Sequence, residues 1–245
     1  MPTNVNPTVR RRRLGQELRR LREIKGMTAE EVADRLLVSQ SKISRLENGR
    51  RSISQRDVRD LCGVYEVADH RVYEPQIVPG LLQTRSYAEA LITGALPEAP
   101  PSDIEKRVNV RARRQDRVNA PEHPLRLWAV IDESALRRLV GGKQVMLAQL
   151  EHLVEQSKLP HVTVQVLPFE MGAHPGINGQ YAILEFPDAA DSSVVYIEGV
   201  TSDLYLEKAN DVQRYSVMYE HLRAQALNVD QTREFIGDIA KGYTR

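Results

Sequence analysis

Cysteine is nearly absent from this chain. Cys62 is its one thiol in 245 residues, which excludes an internal disulfide framework and points to a reducing compartment. No apolar run approaches the ~20 residues that a membrane-spanning helix needs. The opening "MPTNVNPTVRRRRLGQ" is basic but has no apolar stretch behind its arginines, so it lacks the form of a secretory signal. Together these absences predict a cytoplasmic protein. Catalytic signatures are missing as well. His70, His123, His152, His161, His174 and His221 show neither HExxH nor Cys/His metal-ligand spacing. There is no G-x-S-x-G elbow, and "VGGKQV" holds Gly-Gly-Lys without the rest of a phosphate-binding loop. The expectation is a protein that is not an enzyme and that carries no metal and no cofactor.

What is present is charge, unevenly spread. The whole chain sums to +1, yet residues 10–59 hold fifteen Lys or Arg against seven Asp or Glu, a balance of +8 that leaves −7 for the remainder. A basic module joined to an acidic remainder predicts a polyanionic partner for the first part alone. Helical periodicity fills that part. Leu14, Leu18, Leu21 and Ile24 recur at three- and four-residue intervals, as one buried stripe does, and Gly26 stops this first helix. Thr28-Ala-Glu-Glu31 fits a capping box and opens a second helix with Val32, Ala33 and Leu36 inward. Ser39 reads as the N-cap of a third, with Val38 and Ile43 at the hydrophobic-staple positions. Asn48-Gly49 closes it, and Ser54 begins a fourth that buries Val58, Leu61 and Cys62.

Only Leu37 and Val38 separate the second and third of these helices, which favours a sharp corner, the helix-turn-helix unit, over a hairpin packed along its length. Ile43 and Leu46 then anchor the third helix, and Gln40, Ser41, Ser44 and Arg45 face outward. A helix of that kind fits the major groove of duplex DNA, where Gln pairs bidentately with adenine, Arg does so with guanine, and small serines permit close approach.

The run "LRRLREIKGMTAEEVADRLLVSQSKISRLENGRR" resembles the Cro/cI-type (xenobiotic-response-element) helix-turn-helix family, most specifically in its ending "LENGRR". The resemblance implies that Gln40, Ser41 and Arg45 read bases, with Ser44 and Lys42 at the groove edge or the backbone. It implies that Arg50 and Arg51 meet phosphates, as does the N-terminal arm with Arg10, Arg12 and Arg13. It also implies a structural pair between Glu47 and Arg22. The DNA partner would be an operator, bound by a homodimer whose two recognition helices lie about 34 Å apart.

Residues 68–80 read as a linker and extended segment, with Pro75 and Pro79. The expected boundaries are 8–67 for an all-α helix-turn-helix domain and 81–245 for an α+β domain, a small sheet with flanking helices. In the latter, helices are expected at about 81–93, 102–118, 143–157, 208–226 and 229–241. Strands are expected at 125–131 and in "HVTVQVLPF", "GQYAILEF", "SVVYIEG" and "DLYLE". The 102–118 helix is strongly basic and fits DNA contact, a solvated face or an interface. Asp132-Glu133 fits a helix N-cap and dipole partner better than a metal site. "MGAHPGING" is the one loop that invites a ligand or partner, through His174 and Asn178.

The blocks "YEPQIVPGLLQT", "LWAVIDESALRR", "GAHPGINGQYAILEF" and "YIEG…DLYLE" resemble an actinobacterial C-terminal domain found behind Cro/cI-type modules in regulators of the WhiJ and antitoxin-like group. That resemblance implies a transcription regulator, nucleoid-associated when bound to DNA. Its second domain would take a small acidic partner protein or a small-molecule effector. An antitoxin-like protein that regulates its own operon, and a DNA-tethered enzyme, are the alternatives.

Overall fold

A computed structural model describes residues 15, 16, 18–20, 22, 23, 26–36, 38–50, 69–121, 124–185, 193–199 and 204–244. The chain divides into two units, residues 1–66 and 67–245.

In the first unit, helical positions between 15 and 23 precede α1 (Ala29–Arg35) and α2 (Gln40–Glu47). Each start and stop has a local cause. Thr28 Oγ1 accepts from Glu31 N at 3.2 Å, and Thr28 N donates to Glu31 Oε2 at 2.7 Å. This reciprocal box uses two amides that the first turn of α1 leaves orphaned. Leu18, Val32, Ala33, Leu36, Ile43 and Leu46 are buried. The expected fourth helix, with Val58, Leu61 and Cys62, lies outside the described residues, as do Leu14, Leu21 and Ile24.

The second unit is built on one six-stranded sheet. Its strands are β1 (Asp69–Glu74), β2 (Arg126–Asp132), β3 (Val162–Leu167), β4 (Tyr181–Glu185), β5 (Val194–Ile197) and β6 (Leu204–Leu206), in the order β3-β2-β1-β4-β5-β6. β1, β2 and β3 run parallel, and β4 to β6 continue antiparallel. Parallel pairs need long crossovers. The first carries α3 (Arg85–Ala95) and α4 (Pro101–Gln115), the second α5 (Glu133–Arg137) and α6 (Lys143–Gln156). Then come α7 (Ala209–Gln225) and α8 (Val229–Tyr243). One core joins Tyr73, Val130, Leu167, Tyr181, Ile183 and Val195 of the sheet to Tyr219 and Leu222 of α7. β3 is an edge strand, and Val166 N donates to Thr232 Oγ1 of α8 at 3.1 Å, so a helix terminus covers an edge that otherwise invites pairing.

The segment 68–80 is not a linker. Residues 69–74 form β1, which sits inside the sheet between β2 and β4. Strands covered on both faces usually read as apolar runs, whereas "DHRVYE" is mostly polar. Its polar side chains are answered across the sheet. Arg71 pairs with Glu185 of β4, and Asp69 Oδ1 lies 3.4 Å from Arg126 Nε of β2.

The basic helix α4 is also less free than its charge suggests. Arg111 donates to Gln83 Oε1, Arg114 is buried, and Gln115 Nε2 donates to the Gly80 and Gln83 carbonyls at 3.0 and 2.6 Å. This face clamps the turn at Gly80–Leu82. Among the described residues no helix is long and apolar enough to cross a membrane.

Candidate nucleic-acid interface

Helix α2 is fixed at both ends by backbone chemistry. After α1, Val38 N donates to Ala33 O at 2.9 Å, just ahead of Ser39. Ser39 has the extended N-cap conformation, but its hydroxyl does not cap the helix; it pairs with the Ser41 hydroxyl at 3.1 Å. At the other end Gly49 N donates to Leu46 O at 3.0 Å and Arg50 N to Arg45 O at 2.9 Å, the paired bonds of a Schellman closure. The helix is about two turns of amphipathic geometry with a sharp stop.

Its two faces divide cleanly. Ile43, Leu46 and Glu47 are buried, Lys42 is half-buried, and Gln40, Ser41, Ser44 and Arg45 are exposed, as is Arg50 beyond the closure. Arg51, Arg10, Arg12 and Arg13 lie outside the described residues. The exposed side chains already touch one another. Arg45 Nε donates to Ser41 O at 3.0 Å and its Nη2 to Ser41 Oγ at 3.3 Å, while Asn48 Nδ2 donates to Ser44 O at 2.8 Å. Arg45 therefore lies back along the helix, with its guanidinium held by Ser41. Asn48, read from sequence only as the helix stop, extends the polar face by another position. Its signal was the three-residue spacing from Arg45, which places both side chains on one side of the helix.

The structure brings Arg22 and Glu47 together. Arg22 Nε donates to Glu47 Oε1 at 2.7 Å and Nη2 to Oε2 at 2.9 Å, a two-pronged pair whose partners are 13% and 4% exposed. Arg22 Nη1 also donates to Met27 O at 2.8 Å, so one guanidinium ties the first helical stretch to α2 and to the turn before α1. Gly15 makes the same junction tight. A Cβ there would stand 2.4 Å from the Glu47 carbonyl oxygen and 2.7 Å from that of Leu46, and neither backbone atom can swing away. Gly15→Ala should therefore destabilise the module by about 1–3 kcal/mol; hydrogen exchange of the α2 amides measures this.

In the second unit the loop named from sequence splits. His174 turns inward, with Nε2 3.8 Å from Asp132 Oδ2, whereas Asn178 is exposed. Asp132 caps α5, its Oδ1 accepting from Ser134 N at 2.8 Å. Glu133 is buried and accepts from Arg137 and from Phe169 N. Among the described residues no group of three or more His, Cys, Asp or Glu is arranged to hold a metal ion.

A family model described as a helix-turn-helix domain matches residues 13–74, and one described as a domain of unknown function, DUF5753, matches residues 66–238. Residues 67–74 of the overlap fall in the second unit and include β1. No curated protein and no solved structure matched the chain. The first match makes the N-terminal unit a helix-turn-helix, DNA-binding module of the kind regulators carry. The second covers most of the chain, and the protein belongs to the DUF5753 family, with a helix-turn-helix domain ahead of the family's defining domain.

Proposed function

We propose that this chain is a sequence-specific transcription regulator of the Cro/cI type. It acts as a homodimer on an inverted-repeat operator, with residues 67–245 as a regulatory rather than a catalytic part. The observation that carries the reading is the division of α2. Buried Ile43, Leu46 and Glu47 hold the helix, while Gln40, Ser41, Ser44 and Arg45 are exposed together on one side. That is the chemistry of base-edge reading in a major groove. A single small module buries little surface, and two half-sites one helical turn apart supply operator-level affinity.

The test is selection of bound sequences from random duplexes, followed by affinity measurements on the winner. Arg45→Ala should cost roughly 1–3 kcal/mol on that sequence and relax preference at one base position, with little change on random DNA. Arg50→Ala should weaken both about equally and lower the salt dependence by about one ion. Equal loss on both DNAs from Arg45→Ala would remove direct reading from the proposal.

An antitoxin-like role, in which the second unit binds a small acidic protein, is the second reading. Phe169, Met171 and Ile177 favour it, being 55%, 44% and 72% exposed within nine residues of chain, since exposed large apolar side chains suit a contact surface. Its test is native co-purification.

A further inference from the structure

Near the carboxyl ends of β1 and β2, three buried polar atoms stand close together without partners. Tyr73 is the penultimate residue of β1, Tyr181 faces it as the first residue of β4, and His174 comes from the loop between β3 and β4. Tyr73 is 0% and Tyr181 2% exposed, and the His174 side chain is 11% exposed. The Tyr73 ring lies 5.9 Å from His174, edge to face, and 6.1 Å from Tyr181, which in turn lies 5.0 Å from Tyr215. Tyr73 Oη, Tyr181 Oη and His174 Nδ1 make no hydrogen bond among the described residues. Buried polar groups are nearly always paired, and leaving one unpaired costs its full desolvation penalty. The same unit pairs its other deep phenols, since Tyr219 Oη donates to Trp128 O at 2.6 Å and Tyr87 Oη accepts from Val78 N at 3.2 Å.

What covers it is a loop with glycines where only glycine fits. Gly172 (φ 63°, ψ −130°) and Gly179 (φ 125°, ψ −178°) lie in backbone regions that side chains exclude. Between them Gly176 rests on the Tyr73 ring so closely that a Cβ would meet it at 2.4 Å. Ile177, beside it, points its apolar side chain to solvent.

We propose that residues 172–179 form a lid over a ligand site made by Tyr73, Tyr181 and His174. The lid opens for a small uncharged molecule of the amide class, whose carbonyl takes the phenol protons and whose N–H meets the imidazole. The inference rests on the regulatory reading of this unit. Charge selects the class. Burial, first, and then Asp132 and Glu74 push the Tyr73 phenol above its ordinary range, and burial does the same for Tyr181, so both remain O–H donors. The Asp132 carboxylate beside His174 repels an anion. Arg71, the cation near Tyr181, pairs through its two Nη atoms with Glu185 and Glu220, whose carboxylates offset its charge. An ammonium would leave both phenol protons unused.

The experiment titrates the full chain, labelled with 3-fluorotyrosine, with three probes of one shape: benzamide, benzoate and benzylammonium. Resonances of Tyr73 and Tyr181 are assigned from Tyr73→Phe and Tyr181→Phe. Benzamide should shift both saturably, the charged probes should not at the same concentration, and His174→Ala should weaken benzamide roughly tenfold. Each Phe variant should melt about 2–4 °C higher, because it deletes an unpaired buried hydroxyl. A lower melting temperature for either variant, a stronger response to a charged probe, or no saturable shift from any probe would overturn the proposal. None of these readings involves DNA, so failure of the operator reading and failure of the ligand site are told apart.

Discussion

Glu47→Ala should unfold the DNA-binding module rather than merely loosen its grip on DNA. The Glu47 side chain is 4% exposed and accepts both prongs of the Arg22 guanidinium, itself 13% exposed. Two parallel charge-assisted bonds of this kind are strong because the geometry is fixed on both sides. Deleting the carboxylate strands a buried cation, which typically costs about 3–5 kcal/mol. A module of some sixty residues has little more than that in total. Amides of α2 should therefore lose hydrogen-exchange protection while those of β1 to β3 keep theirs. Arg22→Met combined with Glu47→Leu should recover much of the loss, since replacing both charges by packed apolar groups leaves no orphan. If Glu47→Ala leaves the α2 amides as protected as before, the pair is ornamental and the scaffold is held by something else.

The legible parts of this module are those with local causes. The capping box at Thr28 and Glu31, the inward Val32, Ala33 and Leu36, and the Asn48-Gly49 closure each depend on residues within one or two turns. Sequence spacing reads such features directly. Ser39 shows the limit. Its position is that of an N-cap, yet its hydroxyl chooses the Ser41 hydroxyl, a choice between near-equal local partners that residue type does not decide.

In the second unit, what escaped the sequence is what only sheet order assembles. β1 hid as a linker because its polar residues find partners on β2 and β4, more than fifty positions away. His174 stood out in a glycine-rich loop, but Tyr73, Tyr181 and Asp132 did not. They converge from three separate strands, and Asp132 read fully as a helix cap while its second oxygen faces His174. Tyr181 lies in the core, and its unpaired hydroxyl is a tertiary fact.

Raising the pH above about 10 should unfold the second unit in a single cooperative step. Tyr73, Tyr87, Tyr181 and Tyr219 are all buried, and burial is the first cause that lifts each phenol above its ordinary range. The direction follows from proton counting. In the unfolded chain these phenols ionise near pH ~10, while in the folded unit they keep their protons. Above that pH the unfolded state binds fewer protons, so stability falls as pH rises, and below it the four make no pH-dependent contribution. Each costs the fold about 1.4 kcal/mol per pH unit, and four acting together about 5.5 kcal/mol per pH unit. That is comparable to the whole stability of an ordinary domain, about 5–15 kcal/mol. Tyr219 has a further reason to stay neutral, because its O–H donates to the Trp128 carbonyl at 2.6 Å. Phenolate absorbance followed alongside far-ultraviolet circular dichroism measures the outcome. At least these four of the nine tyrosines should ionise only as helix and sheet signals collapse, and Tyr219→Phe should lower the slope of stability against pH by about a quarter. Smooth ionisation of all nine with the fold intact would mean that the phenols at this sheet face are open to water, and the core assigned to Tyr73, Tyr181 and Tyr219 would have to be redrawn.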